Sequence, residues 1–315
     1  MPTFGHILVP VDLSSGSTAA LSGARAIARA ARVRLTLLHV HPNVEPQALG
    51  ESLSSPTSLV LDDVARGRLL SELAALGQPI RSDVAELELA VREGEPGREI
   101  GSYAEEHGID LIVMDSHGRT GIDRLVIGSV AEAVSRKATC SVLVIRDTAG
   151  RPAERAFSRI LCAVDLAVPS HATLATAADL ARAMDAQLTV AHVVETWHWD
   201  DPWPIARGDE AETRRLLAES ARQRVGDLLG RSEDVARVDI RVVFGRVYPE
   251  ILGAIAECSA DLVVVGTHAG GMRRLLFGST AQQLLREAPC PVLIARPGPE
   301  STPRIESAEA VTAKV

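Results

Sequence analysis

The chain repeats itself at a spacing of about 150 residues. ILVPVD at 7–12 returns as ILCAVD at 160–165, and LTLLHVH at 35–41 returns as LTVAHVV at 188–194. DLIVMDSHG at 110–118 returns as DLVVVGTHA at 261–269, GSVAEAV at 128–134 as GSTAQQL at 278–284, and CSVLVIR at 140–146 as CPVLIAR at 290–296. The order of the five blocks is kept and the offset drifts only from 153 to 150. A repeat of this length and order means one folding unit duplicated, so both fold and function must be read from the single unit.

Composition decides what such a unit can be. With 46% hydrophobic residues each copy can bury a real core, and with only 3% aromatics that core must be Val, Ile, Leu and Ala. A formal charge of −8 argues against broad binding to nucleic acid or an anionic membrane, both of which need a basic face. No apolar run approaches the ~18–20 residues needed to span a bilayer. The start, MPTFGHILVPVD, runs directly into a strand pattern without a signal-peptide pattern. Cys140, Cys162, Cys258 and Cys290 are widely spaced in apolar contexts, which suits small buried hydrophobes better than disulfides or a metal site. The expectation is a cytoplasmic protein.

Within each copy, short β-branched runs alternate with longer helical patterns. In the first copy strands are expected near His6–Val11, Leu35–His41, Glu86–Arg92, Leu111–Asp115 and Val142–Arg146. Helices are expected over Ser17–Arg32, Thr57–Leu76, Gly97–His107 and Ser129–Lys137. Strands apolar at consecutive positions are buried on both faces, so the unit is a parallel α/β sheet with helices on both sides. The units span 1–147 and 159–297, joined by a Gly- and Pro-bearing linker at 148–158, and 298–315 reads as a disordered tail. The segment 196–209 holds all three tryptophans, Trp197, Trp199 and Trp203. Either a satellite cluster over a sheet edge or the other unit, or a lid or partner surface, accounts for them.

In open parallel sheets, ligands bind beyond the carboxyl ends of the strands, where the strand order reverses. The unusual residues lie at two such ends. The first strand runs into Asp12, and its copy into Asp165. The fourth runs into SHGRTGIDRLVIGS at 116–129, and its copy into GTHAGGMRRLLFGS at 266–279. Gly128-Ser129 and Gly278-Ser279 then open helices, whose first N–H groups and positive dipole end suit a phosphate. The hydroxyls of Ser129, Ser279 and Thr280 can add donors. Asp12 and Asp165 stand opposite, where a carboxylate can accept from ribose hydroxyls or hold a hydrated Mg²⁺. The competing reading is turn chemistry alone: Gly for the turn, Ser and Asp as caps. Recurrence of the whole set favours the phosphate. No lysine stands near the turn and no P-loop is present, so nothing suggests fast phosphoryl transfer. His117 and His268 recur beside the turn without a nucleophile, and are read as loop-positioning residues.

These residues resemble the universal stress protein family in a tandem, two-domain form. The family pattern is a glycine, two residues, a glycine, nine residues, then glycine and Ser or Thr, between an apolar strand and a helix. The resemblance covers nearly all of 4–296. It implies two doubly wound, Rossmann-like domains, each a five-stranded parallel sheet of order 3-2-1-4-5. It also implies ATP, in some members, and a role in stress regulation rather than catalysis. The nucleotide-binding positions carried over are Asp12, Val40, Gly118, Gly128, Ser129 and Val130 in the first copy. In the second they are Asp165, Val193, Gly266, Gly278, Ser279 and Thr280, with Val40 and Val193 beside the adenine. Two departures stand out. Asp115 replaces the first glycine in the first copy, and the second loop is one residue short, so that Gly118 corresponds to Ala269 or Gly270. The expected function is an ATP-binding stress regulator that works through partner contacts or self-association. The alternative is an interaction module of the same fold without nucleotide. The apolar last strands, 142–146 and 292–296, should pair to make an intramolecular pseudo-dimer, which leaves further homodimerisation open.

Overall fold

A computed structural model describes residues 4–13, 17–42, 61–116, 127–146, 157–166, 170–195, 210–229, 238–267 and 278–297. In the first half the elements run β1 (His6–Pro10), α1 (Ser17–Ala31), β2 (Arg34–His41), α2 (Asp63–Gly77), β3 (Glu86–Glu93), α3 (Pro96–Glu106), β4 (Leu111–Asp115), α4 (Ser129–Lys137) and β5 (Ser141–Ile145). A 3-10 turn over Gln78–Ile80 follows α2. The second half repeats the order as β6 (Arg159–Ala163), α5 (His171–Met184), β7 (Gln187–Glu195), α6 (Glu210–Leu229), β8 (Val238–Gly245), α7 (Val247–Glu257), β9 (Leu262–Gly266), α8 (Ser279–Glu287) and β10 (Val292–Ala295).

All ten strands form one sheet of order β3-β2-β1-β4-β5-β10-β9-β6-β7-β8. Each half is therefore a parallel 3-2-1-4-5 sheet. Alternate residues of a strand point to opposite faces, and both faces are apolar. Ile7, Leu111, Val113 and Leu143 pack on one face with α1, α2, α5 and α6. Leu8, Ile112, Val142 and Val144 pack on the other with α3, α4, α7 and α8. This explains the unbroken apolar runs of the central strands.

Local chemistry sets the helix starts. Asp62 caps α2, its carboxylate accepting from Ala65 N–H at 2.7 Å. The helix expected from Thr57 thus begins at Asp63, because Leu61 and Asp62 are non-helical and residues 57–60 lie outside the described part. Glu95 caps α3 through Gly97 and Arg98 N–H, with Pro96 at the first helical position, one residue ahead of expectation. Phe157 is buried, and Ser158 hydrogen-bonds Asp261 of the second half.

The halves join edge to edge. β5 and β10 pair antiparallel, with Val142 opposite Ile294, Leu143 opposite Leu293 and Val144 opposite Val292. Two repeat-equivalent arginines cross this junction in reciprocal fashion. Arg146 donates to Leu285 O of α8 at 2.5 Å, and Arg296 donates to Ser135 O of α4 at 2.5 Å and to Cys140 O at 3.1 Å. A cation at the carbonyl end of a helix also opposes the helix dipole. Burial pulls the Arg296 guanidinium down to about 10, so it still carries its charge at neutral pH. On the same face Glu132 of α4 accepts from Arg286 of α8 at 2.9 Å. The outer strands β3 and β8 carry Glu86, Glu88, Asp239 and Arg241, charges that discourage further edge pairing. Of the four free cysteines, Cys162 and Cys290 are buried as expected, whereas Cys140 and Cys258 are partly exposed.

Candidate functional site

In each half the strand order reverses beside the first strand: β1 lies between β2 and β4, and β6 between β7 and β9. All these neighbours are parallel, so their carboxyl ends share one rim. In the first half the β1–β4 register covers Ile7–Leu111 and Leu8–Ile112 and stops there because Pro10 has no N–H for the next rung; the crevice of a doubly wound sheet lies beyond these carboxyl ends. In the second half the β6–β9 register continues to Ala163–Val265. The crevice is the place where a doubly wound sheet can hold a ligand.

One residue past β1, Val11 N–H still donates to Leu38 O at 2.8 Å, and the equivalent Val164 N–H donates to Ala191 O at 2.9 Å. The chain then turns away through Asp12 and Leu13, the latter at φ 59°. Asp12 is half-buried at this corner and Asp165 is exposed at its equivalent. Val40 and Val193 lie on the adjacent strands, in register with Arg92 and Val243.

The opposite wall is the start of α4 or α8. Gly128 N–H donates to Ser116 O at 2.7 Å, and Ser116 N–H donates to Ile145 O at 2.8 Å. These two bonds set the first turn of α4 against the ends of β4 and β5. Gly128 and Gly278 are the N-caps, at φ −66°, ψ 148° and φ −63°, ψ 144°. Neither conformation demands glycine. What glycine removes is the capping side chain: neither helix has a side-chain cap bond. The first intrahelical bonds are Glu132 N–H to Gly128 O and Gln282 N–H to Gly278 O, so the amides of Ser129 and Val130, and of Ser279 and Thr280, precede the ladder. The structure thus brings Asp12, Val40, Gly128, Ser129 and Val130 to one rim, and Asp165, Val193, Gly266, Gly278, Ser279 and Thr280 to the other. Gly118, His117, His268 and Gly270 lie outside the described residues, as do the three tryptophans and the tail.

Gly266 has a reason of its own. A β-carbon there would stand 2.5 Å from Thr173 Oγ1 on α5. The repeat equivalent of Thr173 is Ala20, fully buried on α1, and the equivalent of Gly266 is Asp115. A small residue on the helix permits a larger one on the strand, and the reverse holds in the other half. The missing first glycine of the first copy thus goes with a smaller residue at the equivalent helix position. Gly266→Ala is expected to cost about 1–3 kcal/mol by overpacking. Thr173→Ala in the same chain should recover most of it, a non-additivity that urea titration of the two single variants and the double variant would measure.

Two repeated features escape a reading by motif alone. His39 and His192 hydrogen-bond the carbonyls just before Asp12 and Asp165. Gly94 and Gly245, at φ 141° and 154°, end β3 and β8 against Glu99 and Glu250. Both features lie in the aligned halves: LTLLHV against LTVAHV, and a glycine followed five residues later by Glu-Ile. Among the described residues no group of three or more His, Cys, Asp or Glu side chains is placed to hold a metal. No helix among them is long and apolar enough to cross a membrane.

Comparison with known proteins agrees with this architecture. The model of the universal stress protein family matches residues 3–146 and again 156–296. Universal stress protein YxiE of Bacillus subtilis is 32% identical over 149 residues, 45% of this chain and 99% of that protein. Universal stress protein MJ0577 of Methanocaldococcus jannaschii is 28% identical over 154 residues, 45% of this chain and 95% of that protein. A universal stress protein from Archaeoglobus fulgidus has the same fold across both halves: its crystal structure superposes with a TM-score of 0.65 at 20% identity, covering 95% of this chain and 98% of that one.

Proposed function

Because this chain belongs to the universal stress protein family in both of its halves, we propose that it is an ATP-binding regulator of the stress response. Nucleotide occupancy of the crevice would bias the loops before α4 and α8, and so alter a partner contact or self-association. The observation that carries this reading is the pair of glycine-capped helices. Their glycine N-caps bring no side chain to the first amides, which would then face the rim where Asp12 and Asp165 stand. Phosphate oxygens can accept from those amides, and the aspartates can accept from ribose hydroxyls. Mg²⁺ would be held chiefly by the phosphates of the nucleotide, and Asp12 or Asp165 would offer it one carboxylate. The residues we assign are Asp12, Val40, Gly118, Gly128, Ser129 and Val130, and Asp165, Val193, Gly266, Gly278, Ser279 and Thr280. Nothing in this set supplies an activated nucleophile, so hydrolysis of bound ATP would be slow.

A second reading, an interaction module without nucleotide, draws support from Asp115, whose carboxylate adds negative charge at the first rim. A thermal shift separates the two. Free MgATP at 100 times its dissociation constant should add about 2.7 kcal/mol to the folded state, on the order of 5 °C in Tm. Gly128→Ala and Gly278→Ala, made separately, should each reduce that shift only where their own half holds the nucleotide. Absence of any shift at millimolar MgATP, with no nucleotide co-purifying, favours the second reading.

A further inference from the structure

We propose that His39 and His192 are positioning residues of the two crevices. Each holds the last carbonyl ahead of the site aspartate, and each takes that carbonyl away from the sheet ladder. The inference rests on the nucleotide reading above and names residues that reading leaves unassigned.

His39 is buried on β2, with Nδ1 2.9 Å from Val11 O. His192 occupies the equivalent place on β7, with Nδ1 3.0 Å from Val164 O. A carbonyl can only accept, so Nδ1 carries the proton in both rings, and in the neutral ring Nε2 keeps its lone pair. The same geometry in two halves that differ at Asp115, Gly266, Ala20 and Thr173 marks it as a feature of the unit.

The ladder explains what the ring does. In a parallel pair, successive bonds alternate between the two strands. Pro10 lies opposite Leu38, and Val11 N–H donates to Leu38 O. The next rung in that pattern would run from Val40 N–H to Val11 O. Among the described residues that backbone bond is absent in the first half, and so is its equivalent from Val193 N–H to Val164 O. The imidazole occupies the acceptor instead. Two consequences follow from one substitution of partner. The carbonyl before Asp12 or Asp165 is pinned by a side chain rather than by β2 or β7 backbone, which ends the strand and fixes where the aspartate departs. The amide of Val40 or Val193 is thereby left out of the ladder to β1 or β6. In the first half this anchor matters more, since β4 pairs with β1 only through Ile7 and Leu8.

The test uses the full chain with MgATP as probe. Nitrogen-15 spectra of the unliganded protein should show both rings as the Nδ1–H tautomer; an Nε2–H tautomer at either ring overturns the assignment for that half. His39→Leu and His192→Leu should weaken MgATP binding in their own half by tenfold or more. His39→Asn and His192→Asn, whose side-chain amide can donate from nearly the same place, should stay within about threefold of the parent chain. Leucine variants that bind as tightly as the parent, or asparagine variants as weak as the leucine ones, sink the positioning role while the nucleotide reading stands. A parent chain that binds no MgATP at all sinks the nucleotide reading and takes this inference with it.

Discussion

Leu293→Ala should cost about 3–4 kcal/mol, and Leu293→Asp should abolish the folded chain. Leu293 has no exposed surface and sits on β10 at the centre of the ten-stranded sheet. It lies opposite Leu143 on β5 and beside Val264 on β9, and all three belong to the same core cluster. Truncation removes the transfer energy of the lost methyl groups and leaves a cavity that strands on both sides prevent from collapsing, which places it in the usual range for buried leucine. A carboxylate at the same point would have no cation within the cluster to pair with, and an unpaired buried charge costs more than a typical domain can spare. Urea titration followed by circular dichroism measures the first effect, and the soluble yield of folded protein measures the second. A cost below 1 kcal/mol for Leu293→Ala would mean that the β5–β10 junction does not form in solution.

Asp261→Ala should be nearly as damaging, and clearly worse than Asp110→Ala. These aspartates are repeat equivalents ahead of β9 and β4, and both reach back to the start of the first strand of their half. Asp261 is 2% exposed and accepts from Ser158 N–H at 3.0 Å, Ser158 Oγ at 2.7 Å and Arg159 N–H at 2.8 Å. Asp110 is half-buried and, among the described residues, accepts from Gly5 N–H at 2.9 Å and His6 N–H at 3.0 Å. Hydrogen bonds to a charged group contribute roughly 1.5–3 kcal/mol each, offset by the cost of burying the carboxylate. Loss of about 3–4 kcal/mol is expected for Asp261→Ala and about 1–2 kcal/mol for Asp110→Ala. Equal losses in the same titration would show that burial and bond count do not govern this contact.

The parts of this molecule legible in the sequence are those written in short range. The five ordered blocks specify one unit twice. The apolar runs at 7–11 and 111–114 require a sheet covered on both faces, and Gly128-Ser129 announces a helix start. What the sequence hides is contact between distant residues. Asp115 reads as a defect in a glycine pattern until Thr173 is found against Gly266 and Ala20 takes its place in the other half. Asp110 and Asp261 look like strand-flanking turn residues, because their partners lie about 100 residues upstream. His39 reads as one more member of a buried strand, since nothing in LTLLHVH says that its ring will bond the carbonyl of Val11. Arg146 and Arg296 look like ordinary charges closing the last strands, and their acceptors lie on helices of the opposite half.

The β5–β10 junction lies within one polypeptide, and that releases the molecule from symmetry. Two separate copies meeting across this edge would have to be identical, so every substitution would appear on both sides at once, and dilution would part them. Here the tether keeps the partners together at any dilution and lets each accept changes the other does not share. Asp115 in one half and a stretch one residue shorter ahead of Gly278 in the other are the kind of lopsidedness such a chain can accumulate. One half can specialise while its neighbour is kept as scaffold.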